Sequence, residues 1–232
     1  MKIEILFPEF CNLFGDLSNM KYLQQCLPDA EFFETPLEAQ PRFVTESVDL
    51  IYLGPMTERT QEKVIEKFLP LKARIKELID AGTVFLFTGN AMEVLGHAIF
   101  TEDGREIPGL GLLPITARRD LMHRHNSTFL GSFEGKPVMG FKSQFTMATP
   151  QDYAQGLFPV ERGVGLKKGC PFEGIRQNNF FGTYLLGPIL LLNPDFTVYL
   201  LRCMGVREPA LAFEKDVRAA YEVRLKDFRE KT

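Results

Sequence analysis

Four cysteines, Cys11, Cys26, Cys170 and Cys203, lie far apart, and no two of them form a Cys-x-x-Cys pair. That spacing excludes a zinc knuckle and a thioredoxin-type motif. Scattered thiols without a signal peptide point to a reducing cytoplasm, where each is most simply a small apolar filler. Positive charge is not in excess either. The 27 Lys and Arg face 30 Asp and Glu, for a net charge of -3, which leaves no footprint for nucleic acid or an anionic membrane. No apolar run reaches the length of a bilayer; residues 184–192 are too few and are broken by Gly187-Pro188. Tryptophan is absent, while phenylalanine occurs 21 times, a bias with no functional meaning at the level of sequence.

What is present is ordinary for a soluble globular protein: 232 residues, 45% hydrophobic and 25% charged, enough to bury a real core. Residues 2–7, 30–34 and 49–53 read as strands, the last ending at Gly54-Pro55. Asp16 or Ser18 is placed to cap a helix running toward Leu27. From Thr60 to Ala81, Val64, Phe68, Leu71, Ile75, Leu78 and Ile79 keep helical spacing. Pro70 should kink or split that stretch, and Gly82 closes it. Strands alternating with helices imply right-handed βαβ units and a parallel sheet. Further on, Gly104, Gly109 and Gly111 punctuate a loop. Residues 128–133 and 137–141 form a hairpin turning at Glu134-Gly135-Lys136, and residues 180–185 are strand-like. With no repeat and no clear linker, one domain is expected over residues 1–205. A charged helical tail over 206–232 should pack on the domain or on a partner, through Leu211, Val217, Tyr221 and Leu225.

The stretch that carries chemistry is Val84-Phe85-Leu86-Phe87-Thr88-Gly89-Asn90-Ala91-Met92-Glu93-Val94-Leu95-Gly96. It reads as a buried strand, a tight turn at Thr88-Gly89-Asn90 and the first turns of a helix. That is the geometry of a nucleophile elbow, which holds a reactive side chain at the tip of a sheet. Here the tip is Gly89. Glycine keeps the positive φ of such a turn but offers no atom to attack a substrate.

The order of these pieces resembles the class I glutamine amidotransferases, in particular the cobyric-acid-synthase-like (CobB/CobQ) branch and, within it, the glutaminase subunits of lipid II isoglutaminyl synthase. The resemblance runs over residues 5–205. It rests on Phe7-Pro8-Glu9-Phe10-Cys11-Asn12-Leu13-Phe14-Gly15-Asp16-Leu17-Ser18-Asn19, on Gly109-Leu110-Gly111-Leu112-Leu113, on Gly140-Phe141, on Gly182-Thr183-Tyr184-Leu185-Leu186-Gly187-Pro188-Ile189-Leu190 and on Asn193-Pro194. It implies a three-layer α/β/α, flavodoxin-like fold with a mainly parallel central sheet and a β-hairpin extension.

The resemblance also implies where the machinery should be. Active members carry Cys-Gly-Gly-Tyr-Gln at the elbow; the cysteine falls on Gly89 and the glutamine on Glu93. Their Gly-Thr-Tyr-Leu-His-Gly-Pro block puts the catalytic histidine at Leu186. Their Glu-Asn-His-Gly-Gly-Arg segment is replaced by Lys142-Ser143-Gln144-Phe145-Thr146-Met147. The glycine-rich oxyanion loop reads Leu53-Gly54-Pro55-Met56, and Pro55 has no N–H to donate. A one-residue slip that put Thr88 at the tip would still lack a base. No catalytic residue is therefore assigned. Gly54, Gly89, Asn90, Glu93 and Arg124 are candidate ligand-binding positions. Glu93 reads equally as a carboxylate at a helix N-terminus, and Arg124 as a solvated loop charge. His123 and His125 lack a third ligand nearby, so no metal is expected, and no cofactor.

Three functions follow. The first is a catalytically degenerate amidotransferase-like subunit, scaffold or regulator of a Mur-ligase-like or other synthetase. The second is an active glutaminase with relocated residues, supplying ammonia for cell-wall or cobalamin-type amidation. The third is a sensor of glutamine or another amino acid.

Overall fold

A computed structural model describes residues 1–231. Five parallel strands form one half of a nine-stranded sheet, in the order β2 (Glu31–Thr35), β1 (Lys2–Leu6), β3 (Leu50–Leu53), β4 (Val84–Thr88) and β13 (Phe180–Thr183). The other half is antiparallel: β12 (Phe172–Gln177), β11 (Gly156–Arg162), β8 (His125–Phe133) and β9 (Lys136–Gln144). Strands β3 and β4 are buried at every residue, as parallel strands covered on both faces should be. Ile51, Leu53, Phe85 and Phe87 face one core, and Leu50, Tyr52, Val84 and Leu86 the other.

Helices cover both faces. On the first lie α2 (Glu58–Phe68) and α3 (Lys72–Asp80), contributing Val64, Phe68, Ile75 and Ile79. On the second lie α1 (Ser18–Cys26), the short α4 (Ile189–Leu192) and α5 (Pro194–Cys203). This is the three-layer α/β architecture the sequence implied. Helices α2 and α3 are separated by a 3₁₀ turn over Leu69–Leu71 that contains Pro70, and Gly82 ends the second at φ +83. The phenylalanine bias also finds its place. Phe85, Phe87 and Phe180 pack as one ring cluster, and Phe133, Phe158, Phe181 and Phe196 as another, with centroids 5.2–6.0 Å apart.

Two local expectations fail. Neither Asp16 nor Ser18 caps α1: the cap position is Leu17, whose N–H donates to Asn12 Oδ1 at 2.9 Å. Asp16 is turned inward, where Tyr52 Oη and Thr88 Oγ1 donate to its Oδ2 at 2.7 and 2.5 Å. The region read as a glycine-punctuated loop contributes one strand, β6 (Glu106–Pro108), to a second, four-stranded sheet ordered β10 (Thr146–Pro150), β7 (Ile115–Arg119), β5 (Ala98–Phe100) and β6. Its strands are three to five residues long, too short for an alternation pattern to register.

The hairpin β8–β9 turns at Glu134-Gly135, both at positive φ, and extends the large sheet to its edge. An open edge invites pairing with another chain, and this one is closed from within. Asn193 Oδ1 accepts from Met139 N–H at 2.7 Å, while its Nδ2 donates to Met139 O at 2.8 Å and Ile189 O at 2.9 Å. Leu186 and Phe141 exchange backbone hydrogen bonds of 2.8 and 3.3 Å. The tail helix α6 (Glu214–Lys231) lays Val217, Tyr221 and Leu225 inward, and Tyr221 Oη donates to Pro137 O at 2.9 Å. Replacing Asn193 by Leu strips Met139 of both partners and is expected to cost roughly 2–4 kcal/mol. Removing the exposed Arg218–Asp195 pair should cost about 1 kcal/mol or less. Urea unfolding of the two variants measures the contrast.

Candidate functional site

Strand β4 delivers the chain to Gly89 at φ +59, the left-handed conformation expected of an elbow. The helix expected after it does not form. Residues Gly89–Leu95 make a 3₁₀ helix, and the chain is extended again by Ala98. Where this helix stops is set by the loop at 109–113. Leu110 N–H donates to Val94 O, Leu112 and Leu113 N–H to Leu95 O, and Gly111 N–H to Gly96 O, at 2.7–3.0 Å. The carbonyls that would continue an α-helix are already bonded.

At the apex, a Cβ added to Gly89 would lie 2.5 Å from Cβ of Pro55. The loop after β3 therefore occupies the space a nucleophile's side chain needs. That loop is pinned. Asn90 Oδ1 accepts from Met56 N–H at 3.0 Å, Asn90 Nδ2 donates to Met56 O at 2.8 Å, and Leu13 N–H donates to Pro55 O at 3.0 Å. Pro55 has no N–H and that of Met56 is taken, so neither is available to an oxyanion. Thr88 offers no substitute, because its side chain is fully buried on Asp16. Burial pushes the Asp16 carboxyl up, against the pull of hydrogen bonds from Thr88, Tyr52 and Asn19.

A cavity of about 230 Å³ opens beside the apex. Gly89, Asn90, Pro55 and Met56 form one part of its wall, and Leu13 and Phe14 another. Arg124, Ser143, Gln144 and Phe145 line it together with Tyr184 and Leu186. Four positions singled out from sequence, Gly89, Asn90, Arg124 and Leu186, thus converge. Arg124 is more than a solvated charge: its guanidinium lies 4.3 Å over the Phe145 ring, and Nη1 donates to Ser143 Oγ at 3.3 Å. No cysteine or histidine lines the cavity. Burial drives the Cys11 thiol up to about 12, so it is not a thiolate. His123 pairs with Asp120 and His125 with Ser127. Among the described residues no group of His, Cys, Asp and Glu is arranged to hold a metal.

Two expected ligand-binding residues are not at the cavity. Gly54 is a packing glycine, where a Cβ would meet Cys11 O at 2.2 Å. Glu93 points into the protein. Its Oε1 accepts from Tyr184 Oη at 2.7 Å and its Oε2 from Gln61 Nε2 at 2.8 Å. Gln61 Oε1 in turn accepts from Arg119 Nη2 at 3.0 Å, and Glu62 joins Arg119 to Arg105. Burial pushes the Glu93 carboxyl up to about 7, opposed by the hydrogen bonds of Tyr184 and Gln61 and by the Arg119 charge.

Sequence reading missed Gln61, Arg119 and Tyr184 in this network, and the role of Lys142. Lys142 is fully buried, with Nζ donating to Gly165 O at 2.5 Å and lying 5.1 Å over the Tyr184 ring. Burial lowers its pKa, while the charge of Glu173 raises it. The alternation of β9, in which Val138, Gly140, Lys142 and Gln144 share the buried face, was the available signal.

The Glu93 carboxyl is raised on folding, so its contribution to stability is complete below the unfolded pKa and is lost as pH rises through about 7. Between pH 5 and 8 the loss should be roughly 2–4 kcal/mol. Glu93→Gln removes the charge. Its oxygen can still accept from Gln61 Nε2, and its NH2 can donate to Tyr184 Oη once that hydroxyl turns from donor to acceptor, so it should flatten that dependence and be the more stable form at pH 8. Urea midpoints at the two pH values test this; parallel profiles for the two proteins would contradict it.

Comparison with known proteins agrees with this arrangement. A family model for the CobB/CobQ-like glutamine amidotransferase domain matches residues 2–193. The chain is 27% identical over 218 residues, 93% of its length and 88% of the relative's, to the GatD subunit of lipid II isoglutaminyl synthase (glutamine-hydrolyzing) from Staphylococcus aureus (strain N315). It is 23% identical to the subunit of the same name from Streptococcus pneumoniae (strain ATCC BAA-255 / R6), over 87% of this chain and 79% of that one. Among solved structures, one described as a glutamine amidotransferase superposes with a TM-score of 0.57 at 14% identity, covering 88% of this chain and 99% of the other. PurLQS from Thermotoga maritima superposes at 0.56 and 12%, covering 97% and 98%; both bear on the fold. An elbow with a glycine apex, the loop of residues 109–113 bonded to its far side and a match over residues 2–193 carry one conclusion: the chain belongs to the CobB/CobQ-like glutamine amidotransferase domain family.

Proposed function

We propose that this chain is a non-catalytic amidotransferase-like subunit that works with a synthetase, of Mur-ligase-like type, in a cytoplasmic step of cell-wall precursor amidation. The observation that carries the reading is the 2.5 Å approach of Pro55 to the Cβ position of Gly89. Amide hydrolysis at an elbow needs a nucleophile, a base and oxyanion donors. The nucleophile's place is filled by a proline ring, the base's place is Leu186, and the loop donors are absent or engaged. In acyl-transfer enzymes, removing a nucleophile or base costs about 10⁶-fold in turnover. The fold is retained, which is what a scaffold or regulatory subunit requires. The relatives' printed role as subunits of a glutamine-hydrolyzing synthase supplies the pathway side of the proposal. A second reading, ligand sensing, is favoured by the guanidinium of Arg124 at the cavity, which has no ion-pair partner among the described residues and keeps N–H donors to spare.

Purified protein is expected to release no ammonia from glutamine, alone or mixed with the Mur-ligase-like synthetase of its host, and to capture that synthetase in a pull-down. Ammonia release that survives replacement of all four cysteines would mean another nucleophile is at work. Gly89→Cys should be inactive and less stable by roughly 2–4 kcal/mol, from the clash and the positive φ. In a Pro55→Gly background the same substitution should cost about 1 kcal/mol less or better, which a double-mutant cycle of urea unfolding reads directly.

A further inference from the structure

We infer that the cavity beside Gly89 binds an apolar α-amino acid, of the leucine, methionine or phenylalanine kind, in preference to glutamine. The inference rests on the non-catalytic reading, since it takes the bare apex as part of a binding wall.

Size comes first. At about 230 Å³ the cavity is below the range of drug-sized pockets and suits one small metabolite. Charge comes second. Arg124 and Glu58 both line it, and neither forms an ion pair among the described residues. Arg124 spends one hydrogen bond on Ser143 and keeps further N–H donors for a carboxylate. Glu58, half-buried in the first turn of α2, supplies an acceptor for an ammonium. A cation and an anion, each without an ion-pair partner, on one small cavity match a zwitterion.

The remaining wall decides the side chain. Leu13, Phe14, Pro55, Met56, Phe145 and Leu186 are apolar; of the hydroxyls, Thr57 is bonded to Thr60, Ser143 accepts from Arg124 and Thr146 is buried. Neither carboxamide on the wall is open to a ligand, although Gln144 Oε1 itself has no partner among the described residues. Asn90 bonds both backbone groups of Met56. Gln144 Nε2 donates to Thr146 O at 2.6 Å, and its Oε1 is shut away from solvent. The Tyr184 hydroxyl is given to Glu93. A ligand carboxamide would exchange water for walls whose amides are occupied, which disfavours it. An aliphatic or aromatic side chain meets no such penalty.

The test is calorimetric titration and thermal shift of the purified chain with L-leucine, L-methionine, L-phenylalanine and L-glutamine, with ammonia followed in the same samples. At least one apolar amino acid should raise Tm at millimolar concentration, and glutamine should bind about tenfold more weakly or worse. The one-ended analogues 4-methylpentanoate and 3-methylbutylamine should each bind about tenfold more weakly than leucine. Arg124→Met and Glu58→Gln, at positions outside the core, should unfold like the parent protein without ligand and lose the response to it. Glutamine binding as tightly as leucine, analogues binding equally well, or no binding of any of the four amino acids would overturn the inference. Ammonia release would instead overturn the non-catalytic reading beneath it, whereas no binding with no ammonia overturns the ligand alone.

Discussion

The contact between Gly89 and Pro55 governs this site. Two loops that end neighbouring parallel strands, β3 and β4, approach until no side chain fits between them. Their closeness is enforced on three sides: by Asn90 holding the backbone of Met56, by Leu13 holding Pro55, and by Gly54 packed on Cys11 O. A glycine at the apex and a proline opposite are complementary choices. The first accepts the positive φ of the turn, and the second fills the space that the missing side chain leaves. Interiors tolerate few voids, so an elbow that lost its nucleophile without such a filler would leave a hole at the end of the sheet.

Beneath the cavity the protein buries an unusual set of ionisable groups. Asp16, Glu93, Lys142 and Glu173 are all at most 2% exposed. Burying a charge is costly unless it is bonded, and each of these is held by more than one donor or acceptor, although Asp16 Oδ1 has no partner among the described residues. Asp16 takes Tyr52 and Thr88. Glu93 takes Tyr184 and Gln61. Glu173 takes Thr183 Oγ1 and the Tyr184 N–H, and Lys142 gives to the carbonyls of Val164 and Gly165. Tyr184 is common to three of these relations: it bonds Glu93, receives its backbone partner from Glu173 and carries Lys142 over its ring. It also lines the cavity. The polar machinery that remains next to the elbow is therefore turned into the protein, where it fixes the walls, while the surface left to a ligand is mostly apolar with two charges.

Much of the fold was legible in the chain. Continuous apolar runs gave β3 and β4, because strands covered on both faces have no polar positions. Pro70 marked the break between α2 and α3, and Glu134-Gly135 the hairpin, because those residues restrict or release φ locally. The small second sheet was not legible: its strands are short and depend on partners distant in sequence, as β10 depends on β7. The point at which the helix after Gly89 stops was not legible either, since the carbonyls of residues 94–96 are taken by N–H groups from residues 110–113.

By itself, the sequence determined that residue 89 is a glycine and residue 186 a leucine, since these are matters of residue identity. It could not say which way a side chain faces. Glu93 and Arg124 were both candidates on paper. Packing turned Glu93 inward onto Tyr184 and Gln61 and left Arg124 stacked on Phe145 at the cavity. That choice was made by which buried donors lie within hydrogen-bond reach of each side chain, a property that exists only once strands and loops far apart along the chain have come together.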